Sequence, residues 1–310
     1  MEFINGITFG PFALKGSFET VAAKESLLCM KERTAANFVI FALAAIQETS
    51  HSETIDFTGK YTLGDQELTE MIEYAQSIGL RVAIKPTVNC EDRTWRAFIN
   101  FFDHDVHCEP KWSNWFRSYT AFQIHFAEIA QKTGCEMFIA GCEMVMTQRR
   151  EVEWRKLIAD IKAVFTGLVS YNTDKYQEEH VAWWDCVDVI SSSGYYPITD
   201  WDSELDRIEA VVKKFNKPFF FAETGCMSAT GSSKVPNDWS CAGNVNLEEQ
   251  AEWYRVMFEK SSKRDWMNGY GLWDWSWHQY YIGDADKNRG YDIFGKPSEV
   301  VVKDYFTVYQ

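Results

Sequence analysis

Two glutamates each end a short apolar run, and their placement is the first chemical signal in this sequence. Glu143 falls at the end of Met-Phe-Ile-Ala-Gly-Cys-Glu, and Glu223 at the end of Pro-Phe-Phe-Phe-Ala-Glu. Such runs read as strands buried on both faces, so a carboxylate at the end must point out of the packed interior. Glu223 lies 80 residues beyond Glu143, about three strand–helix units of an α/β barrel. Both side chains would then reach one cavity. Two carboxylates across a cavity are what hydrolysis of an acetal needs, one to protonate the leaving oxygen and one to meet the oxocarbenium-like carbon. A lone glutamate at a strand end is as readily the partner of an Arg or Lys, and it is the pair at this spacing that argues for chemistry.

The elements that must position them recur along the chain. Short apolar runs at Phe3–Phe9, Asn37–Leu43, Arg81–Lys85, Met137–Glu143, Leu168–Tyr171, Val187–Ser192, Pro218–Glu223 and Gly269–Trp273 read as eight strands. Helical patterns alternate with them. The clearest takes Asp65 as its cap, places Leu68, Met71, Ile72, Ala75 and Ile78 on one face, and ends at Gly79. Others start near Ser17, Ser113, Arg149, Ser203 and Asn246. This alternation predicts an α/β fold, a (β/α)8 TIM barrel forming a single domain over residues 1–310. An open doubly wound sheet uses the same alphabet, but no Gly-x-Gly-x-x-Gly follows the first strand, which disfavours dinucleotide binding. The long irregular stretches Gln47–Leu63, Pro86–Lys111 and Thr224–Val245 all follow strands, and so belong on the C-terminal face of a barrel, where active sites form.

Composition narrows the partners. With 31 basic and 45 acidic residues the formal charge is −14, a field that repels phosphate backbones and anionic lipid, so neither nucleic acid nor membrane is expected. No apolar run is long enough to span a bilayer, and the N-terminus lacks a secretory pattern, which predicts a cytoplasmic protein. Eight cysteines without a Cys-x-x-Cys pair read as reduced thiols. Cys90, His104, His107 and Cys108 are metal-ligand types in one segment, but their spacing fits no zinc signature, and no metal or cofactor is expected. Oligomeric state is not readable.

Further segments carry a family resemblance: Lys85-Pro86-Thr87-Val88, Arg93-Thr94-Trp95-Arg96, Trp115-Phe116-x-Ser118-Tyr119, Gly141-Cys142-Glu143-Met144, Gly194-Tyr195-Tyr196-Pro197, Ala222-Glu223-Thr224-Gly225 and Trp273-Asp274-Trp275. In this order the chain resembles glycoside hydrolase family 113, within the clan A barrel glycosidases. The resemblance implies that Glu143 is the acid/base, that Glu223 is the nucleophile and that the substrate is β-1,4-linked mannan or manno-oligosaccharide. It departs at Cys142, where much of clan A has an Asn that binds the sugar 2-hydroxyl.

Several other residues are candidates for substrate binding. Trp273 ends the eighth strand and resembles the ring that floors the central subsite in clan A. Tyr196 ends the sixth and could bond Glu223, with Tyr195 as the competing assignment. Lys85 could meet sugar hydroxyls, help neutralise the carboxylates, or form an ordinary ion pair. Trp95 and Asn172 complete the set. The reading is a retaining β-glycoside hydrolase working by double displacement on a β-linked oligosaccharide or polysaccharide, a mannanase or manno-oligosaccharide hydrolase. The alternatives are another sugar specificity, such as a glucosidase, xylosidase or amino-sugar glycosidase, or a carbohydrate-binding barrel without turnover.

Overall fold

In the computed structural model, which describes residues 1–308, eight parallel strands close into a barrel in sequence order. They are β1 Ile4–Phe9, β2 Phe38–Gln47, β3 Arg81–Cys90, β4 Met137–Cys142, β5 Leu168–Thr173, β6 Val189–Ser193, β7 Phe219–Thr224 and β8 Met267–Trp275. Outside lie α1 Val21–Thr34, α2 Asp65–Ser77, α3 Trp112–Lys132, α4 Glu151–Val164, α5 Trp201–Phe215, α6 Leu247–Ser261 and α7 Pro297–Val308. The barrel expectation holds. The sequence patterns missed α7, and one unit has no α-helix: β5 returns to β6 through the short turns Glu178–His180 and Trp184–Cys186.

Two apolar layers hold the barrel. Its interior is filled by Ile4, Phe38, Ile40, Ala83, Met137, Ile139, Val189, Phe220 and Ala222. A larger layer lies between strands and helices, where Trp115, Trp154, Trp183 and Trp253 are fully buried. Alternating strand residues supply the two layers, which is why the strands read as unbroken apolar runs.

Local signals set the helix ends. The α2 helix starts one residue after Gly64, whose N–H donates to Glu67 Oε1 at 2.6 Å, so Asp65 is the first helical residue and not the cap. The other Glu67 oxygen accepts from Phe18 N at 3.0 Å, tying the helix to the loop after β1. Asn246 caps α6 by accepting from Glu249 N at 3.1 Å. Among the described residues no helix is long and apolar enough to cross a membrane.

The largest difference from expectation lies in β2 and β3. Each runs to ten residues, and they pair continuously from Phe38↔Arg81 through Ala42↔Lys85 to Gln47↔Cys90. Lys85 therefore stands mid-strand. The second half of this ladder rises above the rim, and Thr87 and Asn89 on it line the cleft. Pro86 interrupts no pairing around it, since a parallel strand directs alternate N–H groups to opposite neighbours.

Candidate active site

At the C-terminal end of the barrel lies a cleft of about 420 Å³ lined by Glu143, Glu223, Trp95, Arg96, Tyr195 and Trp273, with Phe12, Asp174, Lys175, Asn237 and Trp239 around it. That volume is within the about 300–1,000 Å³ of small-ligand pockets. Both glutamates arrive there because their strands end at this rim. Glu143 follows β4 rather than ending it, and takes φ 54°, in the left-handed region. A non-glycine residue there costs about 1–3 kcal/mol unless its surroundings hold it. Its N–H donates to Asn172 O at 2.8 Å. Two residues earlier Gly141 has φ 94°, and a Cβ at that position would collide with the Tyr119 hydroxyl. The strand end thus requires glycine to make the bend that delivers Glu143.

The two carboxylates each keep an oxygen within 4.8 Å of the other. Lys85 Nζ donates to Glu223 Oε1 at 2.5 Å, the Cys142 thiol to the same oxygen at 3.1 Å, and Tyr195 Oη to Oε2 at 3.3 Å. Burial alone would raise the Glu223 pKa, but the Lys85 ammonium and the Arg96 guanidinium outweigh it and hold the carboxyl below its ordinary range. Burial and the charge of Glu223 push the Cys142 and Tyr195 pKa values well up, so both remain protonated donors.

Glu143 has different neighbours. Ser193 Oγ donates to its Oε1 at 2.9 Å, and Trp95 Nε1 to Oε2 at 3.3 Å, with Arg96 Nη2 3.6 Å from that same oxygen. Arg96 is itself steadied by Asn89 Oδ1 at 2.6 Å.

Behind the cleft one relay joins the two sides. Besides Glu223, Lys85 donates to Asn172 Oδ1 at 3.2 Å, and Asn172 Nδ2 donates to Ser193 Oγ at 3.0 Å. Ser193 Oγ then donates to Glu143, so the hydrogen bonds run in one direction from Lys85 to Glu143, while Lys85 also donates to Ala222 O and Asn172 Nδ2 to Thr173 O. Lys85, Asn172 and Ser193 are all fully buried.

Four expected cleft residues are thereby reassigned. Lys85, Cys142 and Asn172 do not line the cleft but stand behind it, holding the carboxylates. Tyr196 points away altogether: its hydroxyl donates to Glu178 at 2.6 Å, while Tyr195 takes the place beside Glu223. The two tyrosines are consecutive just beyond the end of β6, and their side chains go to different partners. Trp95 and Trp273 do line the cleft, and Trp273 is nearly buried with no hydrogen-bond partner on Nε1.

Ser193, Asp174, Lys175, Phe12 and Trp239 were not singled out. Ser193 had a visible signal, three serines in a row at the end of an apolar strand. Among the described residues, Cys142, Glu143 and Glu223 form the one trio whose metal-ligand atoms converge, and Lys85 and Arg96 already balance its charge. Cys90, His104, His107 and Cys108 do not converge.

Comparison with known proteins places this geometry. Residues 7–296 match the profile of Glycoside Hydrolase Family 113. The chain is similar to a GH113 β-1,4-mannanase solved as a complex, at 58% identity and TM-score 0.98 over 99% of each chain. It is also similar to the GH113 β-mannanase of Alicyclobacillus acidocaldarius in complex with ManMIm, at 40% identity and TM-score 0.97, covering 100% of this chain and 99% of that one. A β-glucuronidase of Ruminococcus gnavus shares the barrel alone, at 14% identity and TM-score 0.66 over 98% of this chain and 50% of its own. No curated protein sequence matches significantly. The chain belongs to glycoside hydrolase family 113, and it is a glycoside hydrolase on a (β/α)8 barrel.

Proposed function

We propose that this enzyme cleaves β-1,4-mannosidic bonds in mannan or manno-oligosaccharides by double displacement, with Glu223 as nucleophile and Glu143 as acid/base. The observation that carries the reading is that one oxygen of Glu143 and one of Glu223 lie within 4.8 Å of each other, which supports the shorter of two carboxyl spacings. Retaining enzymes separate their carboxyl groups by about 5–5.5 Å, whereas inverting ones need about 6.5–9.5 Å to seat a water. The 58% identity with a β-1,4-mannanase over the whole chain supports the sugar.

Each residue has a chemical task in this scheme. Lys85, Arg96, Cys142 and Tyr195 keep Glu223 ionised and aimed, which suits attack on the anomeric carbon. Glu143, gripped by Ser193 and Trp95, faces the same space and supplies the proton to the departing oxygen. After the glycosyl-enzyme forms, Glu143 takes a proton from water and the ester at Glu223 is hydrolysed. Trp273 offers an aromatic floor for a sugar ring.

The test is hydrolysis of β-1,4-linked mannose, glucose and xylose oligosaccharides of equal length, with NMR of the first product formed. The reading predicts preference for the mannose series and a β-anomer. Preference for another series would move the specificity, and an α-anomer would remove the double displacement.

A further inference from the structure

We propose that Asp174 and Lys175 recognise hydroxyl groups of the sugar on the leaving side of the scissile bond, and so set the enzyme's demand for a saccharide as leaving group and acceptor. The inference rests on Glu143 being the acid.

The two residues follow β5 directly and both line the cleft. Asp174 Oδ1 and Lys175 Nζ are 3.5 Å apart, and their side chains are only 9% and 14% exposed. A separation of 3.5 Å is the outer limit of a hydrogen bond. The Asp174 carboxylate also takes a hydrogen bond from the Lys175 backbone N–H, and Lys175 Nζ lies 6.0 Å from the centroid of the Trp95 ring. A largely buried pair that lines the cleft thus keeps part of its hydrogen-bonding capacity turned toward it. Burial, reinforced by the negative charge of Glu143, pushes the Asp174 carboxyl up to about 7, so near neutrality it can donate as well as accept.

Buried polar groups in native proteins are satisfied, and leaving them short of partners is costly. Asp174 and Lys175 line the cleft, so their remaining hydrogen-bonding positions are open to whatever enters it. An acceptor–donor pair this close matches two neighbouring hydroxyls of a neutral pyranose, with the carboxyl taking one and the ammonium the other.

Position decides which sugar. Trp95 presents its edge to Glu143 through Nε1 and its face to Lys175. The pair therefore sits on the Glu143 side of the site, while Tyr195 and Trp273 stand with Glu223. The proton from Glu143 goes to the glycosidic oxygen, and the ring attached beyond that oxygen is the one that departs. The same place receives an acceptor sugar in the reverse sense.

Two donors separate this role from others: mannotetraose, which leaves a sugar there, and 4-nitrophenyl β-mannobioside, whose nitrophenyl ring carries no hydroxyl. For Asp174→Asn and Lys175→Met, kcat/KM on mannotetraose should fall about tenfold more than on the aryl substrate, chiefly through KM. The mannobiose concentration that diverts half the glycosyl-enzyme into transglycosylation should rise in step. Equal changes on both donors in both variants would overturn the assignment. So would an Asp174→Asn enzyme whose pH–rate profile moves on both donors without the KM difference, since Asp174 would then act only as an electrostatic neighbour of Glu143. A wild-type enzyme inactive on both donors would overturn the mannanase reading beneath it.

Discussion

The mouth of this barrel contains two regions built on different rules. Around the carboxylates, Lys85, Asn172 and Ser193 are fully buried on strands and linked by directed hydrogen bonds. Along the rim, Phe12, Trp95 and Trp239 stand on loops and are 63%, 40% and 56% exposed. Phe12 and Trp239 meet edge to face at 5.8 Å, and each also meets Trp273, at 5.9 and 6.1 Å. The difference separates two jobs. Preorganised charge must be fixed before substrate arrives, and strands sealed from water do that. Sugar recognition needs exposed flat surfaces, which loops can present at little cost to the core.

Damage at the centre should therefore appear in kcat and stability, and damage at the rim in KM. The largest effect belongs to Glu223→Gln, which keeps an acceptor for Lys85 but removes the charge. Steady-state hydrolysis should fall by more than about a thousandfold, and the melting temperature should also fall, because the buried Lys85 ammonium loses its counter-charge.

Lys85→Met should be next, and should strike fold and chemistry together. Removing one partner of a buried ion pair costs about 3–5 kcal/mol, measurable as a lowered denaturant midpoint. With Lys85 present the Glu223 pKa is depressed, so the stability from its ionised form is complete above the carboxylate's unfolded value and is lost as pH falls through the lower folded one. Without Lys85, burial dominates, and the acid limb of the pH–rate profile should move to higher pH. An unmoved limb would show that Lys85 does not set the charge of Glu223.

Ser193→Ala removes one of the hydrogen bonds that orient Glu143, worth about 0.5–1.5 kcal/mol when Glu143 carries its proton. A drop in kcat of about twofold to tenfold on unactivated oligosaccharides follows, with a smaller drop on aryl glycosides, which need less protonation. The smallest effect is expected for Trp239→Ala: stability within about 0.5 kcal/mol of wild type and a raised KM for longer chains. A large loss of kcat there would blur the division between centre and rim.

The same division governs how much the sequence reveals. The barrel and its two carboxylates are legible because buried strands write themselves as apolar runs, and a Glu at the end of one contradicts its context. Lys85 was visible as a residue but not its orientation, because the strand continues five residues past it. A ladder that rises above the barrel rim cannot be told from a loop by apolar pattern alone. Tyr195 and Tyr196 follow the end of β6 and turn to different partners, Glu223 and Glu178, a one-residue difference that composition does not reveal. The partners of Cys142 lie on other strands, so its role as a donor to Glu223 depends on tertiary geometry. Phe12 and Trp239 come from loops following β1 and β7, and only closure of the barrel brings them together.

The central claim is that Glu223 becomes covalently bonded to sugar during turnover. The direct measurement is mass spectrometry of peptides from enzyme treated with a 2-deoxy-2-fluoro-β-mannobiosyl fluoride, which slows breakdown of the glycosyl-enzyme. The added mass should appear on Glu223 and be lost when mannobiose is supplied as acceptor. The same mass on Glu143 or any other side chain would contradict that claim.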